Sequence, residues 1–445
     1  MRLPPYPTYK PSGVEWLGDV PEHWGAEPLK YSSEFINGMA FKPEAWSTVG
    51  VPIIRIENLN GGLDFNCFES DVPVRYHVGQ GDLLFGWSGN RGTSFGPFLW
   101  CRDGLHYLNQ HIFKLTAFTC DKSWFYWCLK AVTRTIEDEA HGIIGMVHVT
   151  RGKLGAVPIP LVTPVEQRAI ADFLDRETSK IDTLVAKKRT LIERLKEKRT
   201  ALISRTVTRG LPPEAARAAG LDSQPKLKPS GIDWLGDVPE HWEVERLSRA
   251  CDRVTDGAHI SPDISSCDYP FVSTVDITDG RIDVTGCLWA STECFEYLAR
   301  SGCKPRRGDV LFSKDGTVGR TAVVDCEIDF VVASSLVIIS PRSGRLDSAF
   351  LNYWLNGSLL QQDILLQLAG AALRRISVEK VARLPVVLPK LDEQHAIAAF
   401  LDRETGRVDE MLAKVETAIE RLREYRTALI TAAVTGKIDV RNALA

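Results

Sequence analysis

A long stretch of this chain occurs twice, and this repeat constrains the fold more than any other feature of the sequence. Residues 10–24 read KPSGVEWLGDVPEHW, and residues 228–242 read KPSGIDWLGDVPEHW. A second duplicated block follows in each half, as EQRAIADFLDRET at 166–178 and EQHAIAAFLDRET at 393–405. Blocks repeated in this order indicate one structural cassette used twice, so the two halves are expected to share a fold.

The cassette contains constant and variable parts, which set the expected domain boundaries. Its lead and closing segments are nearly identical in the two copies, whereas the sequence between them diverges widely. The predicted parts are an N-terminal strap (1–24), a first variable domain (25–163), a first spacer helix (164–208), a linker with the repeated strap (209–242), a second variable domain (243–390), a second spacer helix (391–436) and a C-terminal tail (437–445).

Short apolar runs broken by Gly, Pro and Asp predict that both variable domains are mainly β. Examples are VPIIRIENLNGG at 51–62 and FVSTVDITDGRIDV at 271–284. GDLLFGWSGNRG from Gly81 and GDVLFSKDGTVG from Gly308 align at an offset of 227 residues, and each predicts a strand that runs into a glycine-rich turn. Because long helices are predicted beside these domains, as described next, the predicted fold class is α+β.

Heptad periodicity predicts that the two constant closing segments are long helices. In the second helix the predicted seam is Val408, Met411, Val415, Ala418, Leu422, Tyr425 and Leu429. In the first helix it is Ile181, Leu184, Lys188, Leu191, Leu195, Lys198 and Leu202. Thr163 to Glu166 form a capping box that predicts where the first helix begins.

Two copies of one module in one chain usually pack about a pseudo-two-fold axis. An axis perpendicular to the long helices predicts an antiparallel coiled coil with the variable domains at opposite ends. DNA has local two-fold axes of its own, so such a molecule can place two readers on successive groove faces. Because the two variable domains differ in sequence, the expected DNA site is bipartite and not palindromic.

Overall charge and cysteine content speak against several classes of protein. The 54 basic and 57 acidic residues give a net charge of -3, which speaks against a broadly basic nucleic-acid binder. The ten cysteines include no CxxC pair and predict reduced thiols instead of a disulfide framework or a zinc ribbon. The N-terminal residues do not resemble a secretory signal and no segment resembles a membrane span, so a cytoplasmic protein is expected.

The charge is distributed unevenly along the chain. Residues 181–209 contain nine basic and three acidic residues, whereas residues 408–436 contain four basic and five acidic residues. Residues 300–320 are also basic, with six basic and two acidic residues. One interpretation is that unequal charge pairs the two helices and leaves a basic surplus near DNA that spans the gap. The alternative is a pair of solvated helix faces.

Together, the duplicated strap, the EQxAIAxFLDRET helices, the GD(L/V)LF turns and TDGAH at 255–259 resemble the specificity (S) subunit of type I restriction-modification systems. The resemblance covers nearly the whole chain. It implies that each variable domain is a target recognition domain that reads one half of a bipartite site in double-stranded DNA. It also implies that the helices set the spacing and dock methyltransferase (M) subunits, two of them, through which restriction/translocase (R) subunits join.

The same resemblance implies a subunit without catalysis or a cofactor of its own. S-adenosylmethionine belongs to the methyltransferase partner, and ATP and Mg belong to the motor-nuclease partner. The sequence agrees, because it contains no GxxxxGK(S/T), HExxH or GxSxG motif and no ligand-spaced His/Cys cluster. Two alternatives remain, namely a binding scaffold on a coiled-coil spacer without DNA specificity and an autonomous nuclease, for which no constellation is found.

Loop residues that can donate to or accept from bases and phosphates are the candidates for DNA contact. In the first domain they are Lys42, Asn90, Arg91, Thr93 and Asn109. In the second domain they are His259, Arg306, Arg307, Lys314, Thr317, Arg320, Arg374 and Arg375. The competing interpretations are solvated hairpin charges, local capping by His259, and salt bridges from Arg374 and Arg375 to the spacer helices. Trp87 is expected either to stack on a base or to pack in its turn.

Overall fold

A computed structural model describes residues 4–139, 146–260, 268–278, 280–368 and 374–443. The chain forms two compact units. Unit 1 comprises Met1–Lys188 and Thr417–Ala445, and unit 2 comprises Arg189–Glu416. Each unit therefore joins one variable domain to the first part of one long helix and the last part of the other.

Two small sheets form the variable domain of unit 1. A four-stranded antiparallel sheet has the order Gly96–Leu99, Leu83–Gly86, Ile112–Thr116, Glu34–Asn37. The second sheet has the order Cys67–Phe68, Val51–Ile54, His106–Leu108, His77–Val78, and its central pair is parallel. Three further strand pairs are Tyr9–Pro11 with Asp19–Pro21, Gly25–Pro28 with Pro158–Leu161, and Ser88–Asn90 with Met146–His148.

Unit 2 repeats this arrangement. Its four-stranded antiparallel sheet has the order Thr321–Val323, Val310–Ser313, Leu336–Pro341, Cys251–Asp256. A three-stranded sheet has the order Leu288–Ala290, Tyr269–Val272, Val331–Val332, and the last pair is parallel. The other pairs are Leu227–Pro229 with Asp237–Pro239, Glu243–Arg246 with Pro385–Leu388, and Ile277–Thr278 with Arg281–Ile282. Equal strand order in the two antiparallel sheets confirms that the domains share a fold.

Short helices cover the sheets and complete the cores. In unit 1 they are Ile56–Leu59, Lys122–Glu139 and Arg151–Ala156, with 3-10 turns at Leu29–Tyr31, Pro43–Ala45 and Val74–Tyr76. In unit 2 they are Pro213–Ala218, Leu247–Ala250, Thr292–Arg300, Ser348–Leu355, Ser358–Leu368 and Val378–Arg383, with a 3-10 turn at Thr274–Asp276. Fully buried aromatic residues such as Trp124 and Trp354 pack from these helices onto the antiparallel sheets. Burial of each such side chain contributes about 2–3 kcal/mol.

The two long helices are Pro164–Arg209 and Leu391–Val434, with 46 and 44 residues. At about 1.5 Å per residue each extends roughly 65–70 Å. The fold is therefore α+β, with two sheet-rich domains separated in sequence by long helices. At the start of the first helix the Thr163 hydroxyl accepts from the Glu166 N–H at 3.4 Å and donates to the Glu166 carboxylate at 3.0 Å.

Within each unit a bidentate ion pair joins the first part of one long helix to the last part of the other. In unit 1 the Arg426 guanidinium contacts both oxygens of Asp182, at 2.9 and 3.1 Å. In unit 2 Arg199 contacts both oxygens of Asp409, at 2.9 and 3.4 Å. Two-pronged Arg–carboxylate contacts fix orientation as well as distance. Each pair therefore orients the two helix segments at its own contact point.

The coiled-coil seam differs from the predicted one at several positions. Between residues 408 and 429 of the second helix the buried or half-buried residues are Val408, Leu412, Val415, Ala418, Ile419, Leu422, Arg426 and Leu429. Between residues 181 and 203 of the first helix they are Ile181, Val185, Lys188, Ile192, Leu195, Arg199, Leu202 and Ile203. The prediction was wrong for Leu184, Leu191, Met411 and Tyr425, which are 42–53% exposed. It was also wrong for Lys198, which is exposed. Apolar residues stand at both 184 and 185, and at both 191 and 192, so the heptad pattern alone accepts either register.

Each duplicated strap ends in a His-Trp pair that holds a buried glutamate in the first turn of a long helix. In unit 1, His23 Nε2 lies 2.9 Å from Glu166 Oε1, and the Trp24 indole donates to the same oxygen at 3.4 Å. In unit 2, His241 Nε2 lies 2.8 Å from Glu393 Oε2, and the Trp242 indole donates to Oε1 at 3.1 Å. The two indoles are at most 1% exposed. The strap thus fixes where each helix begins.

Gly436 and Gly210, which follow the two long helices, provide a matched test of this packing. Both have positive φ, at 71° and 82°. A Cβ at Gly436 would lie 2.5 Å from Pro21 Cδ and 2.9 Å from Trp24 Cζ3, whereas at Gly210 the nearest atoms are 3.7 Å away. We expect Gly436→Ala to lower the free energy of unfolding by about 3 kcal/mol and Gly210→Ala by about 1 kcal/mol. Calorimetry measures both, and equal losses would contradict the steric argument.

Candidate nucleic-acid interface

Four segments of unit 2 converge where strand Val310–Ser313 ends. The Lys314 N–H donates to Ser335 O at 2.9 Å, and Lys314 O accepts from the Ile376 N–H at 2.9 Å. Asp315 and Arg375 pair in an antiparallel bridge. The loop after Asp256 joins them through Gly257, where a Cβ would lie only 2.1 Å from Val332 O, so this approach requires glycine.

The side chains at this point form a continuous charged network. The Lys314 side chain is 2% exposed, and its ammonium lies 3.2 Å from Asp315 Oδ2 and 3.8 Å from Asp256 Oδ2. Arg375 Nε contacts Asp315 Oδ1 at 2.9 Å, and His259 Nε2 lies 2.9 Å from Asp256 Oδ2. Arg375 and His259 are 57% and 64% exposed. The network therefore has a buried cation at its base, two partly exposed carboxylates, and two donors at its rim.

Such a network can recognise bases better than it can hold phosphates. The carboxylates of Asp256 and Asp315 balance the cations of Lys314 and Arg375, so these four side chains carry no excess positive charge for a phosphate backbone. It offers hydrogen-bond acceptors beside donors at a surface, which is the arrangement that reads base edges in the major groove.

Unit 1 has the same backbone frame at the equivalent place. The Trp87 N–H donates to His111 O at 3.3 Å, and Trp87 O accepts from the Val149 N–H at 2.9 Å. Ser88 pairs with His148 in the strand ladder, as Asp315 pairs with Arg375 in unit 2. Gly38 approaches Asn109 as closely as Gly257 approaches Val332, since its Cβ would lie 2.0 Å from Asn109 O.

On this frame unit 1 carries the Trp87 indole, the Ser88 hydroxyl and the His148 imidazole in place of the Lys–Asp–Arg network. The half-buried Trp87 ring lies 5.5 Å from the His111 ring and 4.7 Å from the His148 ring, between centroids. It also stacks on Phe113 at 5.7 Å, and its indole donates to Gln110 O at 2.9 Å. Trp87 therefore packs in its turn and also borders a surface that carries two exposed histidines. The two domains present different chemistry at one position of a common fold.

The structure brings together three of the predicted contact residues of the second domain and separates the others. His259, Lys314 and Arg375 belong to the network, and Arg374 is exposed beside it. Arg306 and Arg307 lie at the opposite end of strand Val310–Ser313 from the network. About seven extended residues, roughly 20 Å of chain, separate them from Lys314. Thr317 is exposed in the turn after Asp315, and Arg320 points elsewhere, since its guanidinium donates to Ile277 O at 3.3 Å.

In the first domain Asn90, Arg91 and Thr93 share one exposed turn. The Arg91 guanidinium is paired with Asp138 at 2.8 Å, and the Thr93 hydroxyl donates to Asn90 O at 3.2 Å. Lys42 is exposed on a separate loop, at the start of the turn Pro43–Ala45. Asn109 is 7% exposed. Burial suits Asn109 and Lys314 to positioning neighbouring groups better than to direct contact, and contact by the remaining residues stays a prediction.

Sequence reasoning did not select Asp315, His111 or His148 as contact residues. A signal for two of them was present, because the 227-residue offset aligns Ser88 with Asp315 and His148 with Arg375. Strand pairing, which the offset does not show, brings each pair together.

Three further properties of the described ranges bear on function. Among these residues there is no group of three or more His, Cys, Asp or Glu side chains placed to hold a metal ion. Within the same ranges no helix is both long enough and apolar enough to span a bilayer. Nine cysteines in the described part of the chain carry free thiols.

A family model for the type I restriction modification DNA specificity domain matches the chain twice, at residues 32–194 and 239–421. The chain belongs to this family. Each match covers one variable domain and extends into a long helix. This membership agrees with the duplicated cassette and with the resemblance seen in the sequence.

Curated relatives in this family align over almost the whole chain. The type I restriction enzyme EcoBI specificity subunit of Escherichia coli is 24% identical, over 96% of this chain and 89% of its own length. The putative MjaX specificity subunit of Methanocaldococcus jannaschii is also 24% identical, over 96% of each chain. A chain solved in a study of complex assembly and conformational transition of the type I R-M system has a TM-score of 0.68 at 17% identity. The match covers 93% of this chain and 98% of the solved chain, and shows that the two share a fold.

Proposed function

We propose that this chain is the DNA sequence-specificity subunit of a type I restriction-modification complex. Each variable domain reads one half of a bipartite, non-palindromic site, and the long helices set the spacing between the halves. The observation that carries the proposal is that the specificity-domain family model matches once per variable domain. The two domains also share a backbone frame that carries different side chains, as two readers of different sequences require. This two-domain layout fits DNA specificity better than it fits a scaffold without specificity.

The chain works with partner subunits and performs no catalysis of its own. Its partners are double-stranded DNA, two methyltransferase (M) subunits docked on the helices, and restriction/translocase (R) subunits that join through them, in the cytoplasm and without a membrane. The chain has no cofactor of its own: S-adenosylmethionine belongs to the M subunits, and ATP and Mg to the R subunits. The curated relatives, named specificity subunits, support this assignment.

The deciding experiment is to express the chain with its methyltransferase subunit and to map methylated adenines by single-molecule sequencing. We expect methylation at one motif with two specified halves and a fixed gap. Absence of such a motif, although the two proteins co-purify, would contradict the proposed function and favour the scaffold. Metal-dependent cleavage of DNA by the isolated chain would instead favour the autonomous nuclease.

The basic part of the first long helix gives a further prediction. Lys187, Lys188 and Arg189 follow one another there, and Lys187 and Arg189 are exposed. If they contact the phosphates of DNA that spans the gap, their replacement by glutamine should weaken DNA binding by the complex about tenfold at 0.1 M salt. The slope of log affinity against log salt should also fall by about 1 to 3. Filter-binding titrations measure both quantities.

The control for this prediction is Lys414→Gln, a single exposed cation on the second helix. It should alter the affinity far less. If the triple variant leaves both assembly and DNA affinity unchanged, the two helix faces are merely solvated.

A further inference from the structure

The ion pair of Asp315 with Arg375 differs from an ordinary surface salt bridge because the ammonium of the buried Lys314 side chain contacts the same carboxylate. Arg375 contacts Asp315 Oδ1, and the Lys314 ammonium contacts Oδ2. Each carboxylate oxygen therefore has one cationic partner. Lys314 is 2% exposed and Asp315 is 29% exposed, so the carboxylate is fixed in orientation but reaches the surface.

We propose that Asp315 and Arg375 together read one G·C base pair in the major groove, with Lys314 as the positioning residue beneath them. This inference rests on the proposed function and adds to it a base pair and its readers. It assigns to the carboxylate a role that the sequence did not suggest.

Hydrogen-bond chemistry supports the choice of a G·C pair. In the major groove cytosine presents an N4 amino donor beside the guanine O6 acceptor, because these two groups are hydrogen-bonded to each other in the base pair. Asp315 and Arg375 present an acceptor beside donors, with 2.9 Å between the contacting atoms. That contact uses Arg375 Nε, and a guanidinium has four further N–H donors that can approach guanine O6 and N7.

A phosphate contact does not account for this arrangement. A carboxylate beside the guanidinium repels a phosphate and weakens the attraction of Arg375 for it. The neighbouring pair, Asp256 with His259, adds a second carboxylate at the same rim. A site for backbone contact would instead gather cations without acidic partners.

The first domain shows that the network is not required by the fold. On the same backbone frame it carries Trp87, Ser88 and His148 at the positions of Lys314, Asp315 and Arg375. An ion network needed to stabilise this fold is expected in both copies. Its presence in one copy alone fits a position that determines which base pair each domain reads.

The test uses the complete complex with its methyltransferase subunit and maps the methylated motif for several variants. Arg375→Ala should relax the preference at one G·C position in one half-site, with discrimination there reduced about 10- to 100-fold. Asp315→Asn and Lys314→Met should relax the same position. Lys314 contacts no base in this proposal, so a shared change in base preference identifies it as a positioning residue.

Two control variants accompany these. Asp283→Asn alters a carboxylate elsewhere in the second domain, where it accepts from Thr285, and should leave the motif unchanged. His148→Ala alters the equivalent position of the first domain and should affect only the other half-site. Arg375 is 57% exposed, so Arg375→Ala decides the question even if Lys314→Met fails to fold.

Three outcomes would overturn the inference. The motif of the Arg375→Ala complex could be unchanged, it could relax at an A·T position, or methylation could fall uniformly at all sites without a change in base preference. A wild-type complex that methylates no bipartite motif would refute the proposed function instead, so the two failures are distinguishable.

Discussion

Glu393→Ala should lower the free energy of unfolding of unit 2 by about 3 kcal/mol. The Glu393 carboxylate is 7% exposed and holds the strap through His241 and the fully buried Trp242. Its removal leaves a buried indole N–H without an acceptor and removes negative charge from the first turn of the helix. For a unit of this size the transition temperature should fall by roughly 6–12 °C, which scanning calorimetry measures.

Two control variants separate the loss of this acceptor from a general change in helix charge. Glu393→Gln keeps an acceptor oxygen and should cost about 1 kcal/mol. Glu410→Ala, at an exposed position of the same helix, should change stability by less than about 0.5 kcal/mol. If Glu410→Ala destabilises as much as Glu393→Ala, the effect belongs to helix charge in general and not to the strap.

Replacing residues 25–156 by the matching segment of a relative with another specificity should exchange one half of the methylated motif completely. The other half and the gap should stay the same, because the second domain and both long helices are retained. Among the described residues the main core of unit 1 shares no side chain with the main core of unit 2, so the exchange leaves the core of the second domain unchanged. Methylome sequencing of cells that express the hybrid complex measures the result.

The matched experiment exchanges residues 243–383 and should alter only the opposite half of the motif. A change in both halves after either exchange would show that the two domains do not read DNA independently. A change in the gap would show that the variable domains, and not the helices, set the spacing.

Much of the fold was predictable because its signals are local. Alternation of short apolar runs with turn residues indicated the strands that became Leu83–Gly86 and Val310–Ser313. Heptad spacing and the capping box indicated the long helices that begin at Pro164 and Leu391. The register of the seam was not predictable, since apolar residues at both 184 and 185 satisfy a heptad.

The candidate site was predictable only in part. His259, Lys314 and Arg375 were chosen because their side chains can contact DNA, but their meeting at one point depends on sheet pairing across more than a hundred residues of chain. In the sequence Asp315 is only one of two acidic residues in a basic segment. The strand bridge to Arg375 places its carboxylate between Lys314 and Arg375. Arg306 and Arg307 looked equally suitable, and one strand length separates them from the network.

The sequence by itself determined that one cassette is used twice, that its constant closing segments are long helices, and which family the chain resembles, since repeats and periodicities are written in neighbouring residues. Only the tertiary structure decided which helix faces meet, that Lys314 is buried while Arg375 is exposed, and that equivalent frames in the two domains carry different chemistry. The physical reason is that burial and ion pairing depend on contacts between segments far apart in the chain, and these contacts form only when the sheets and helices pack.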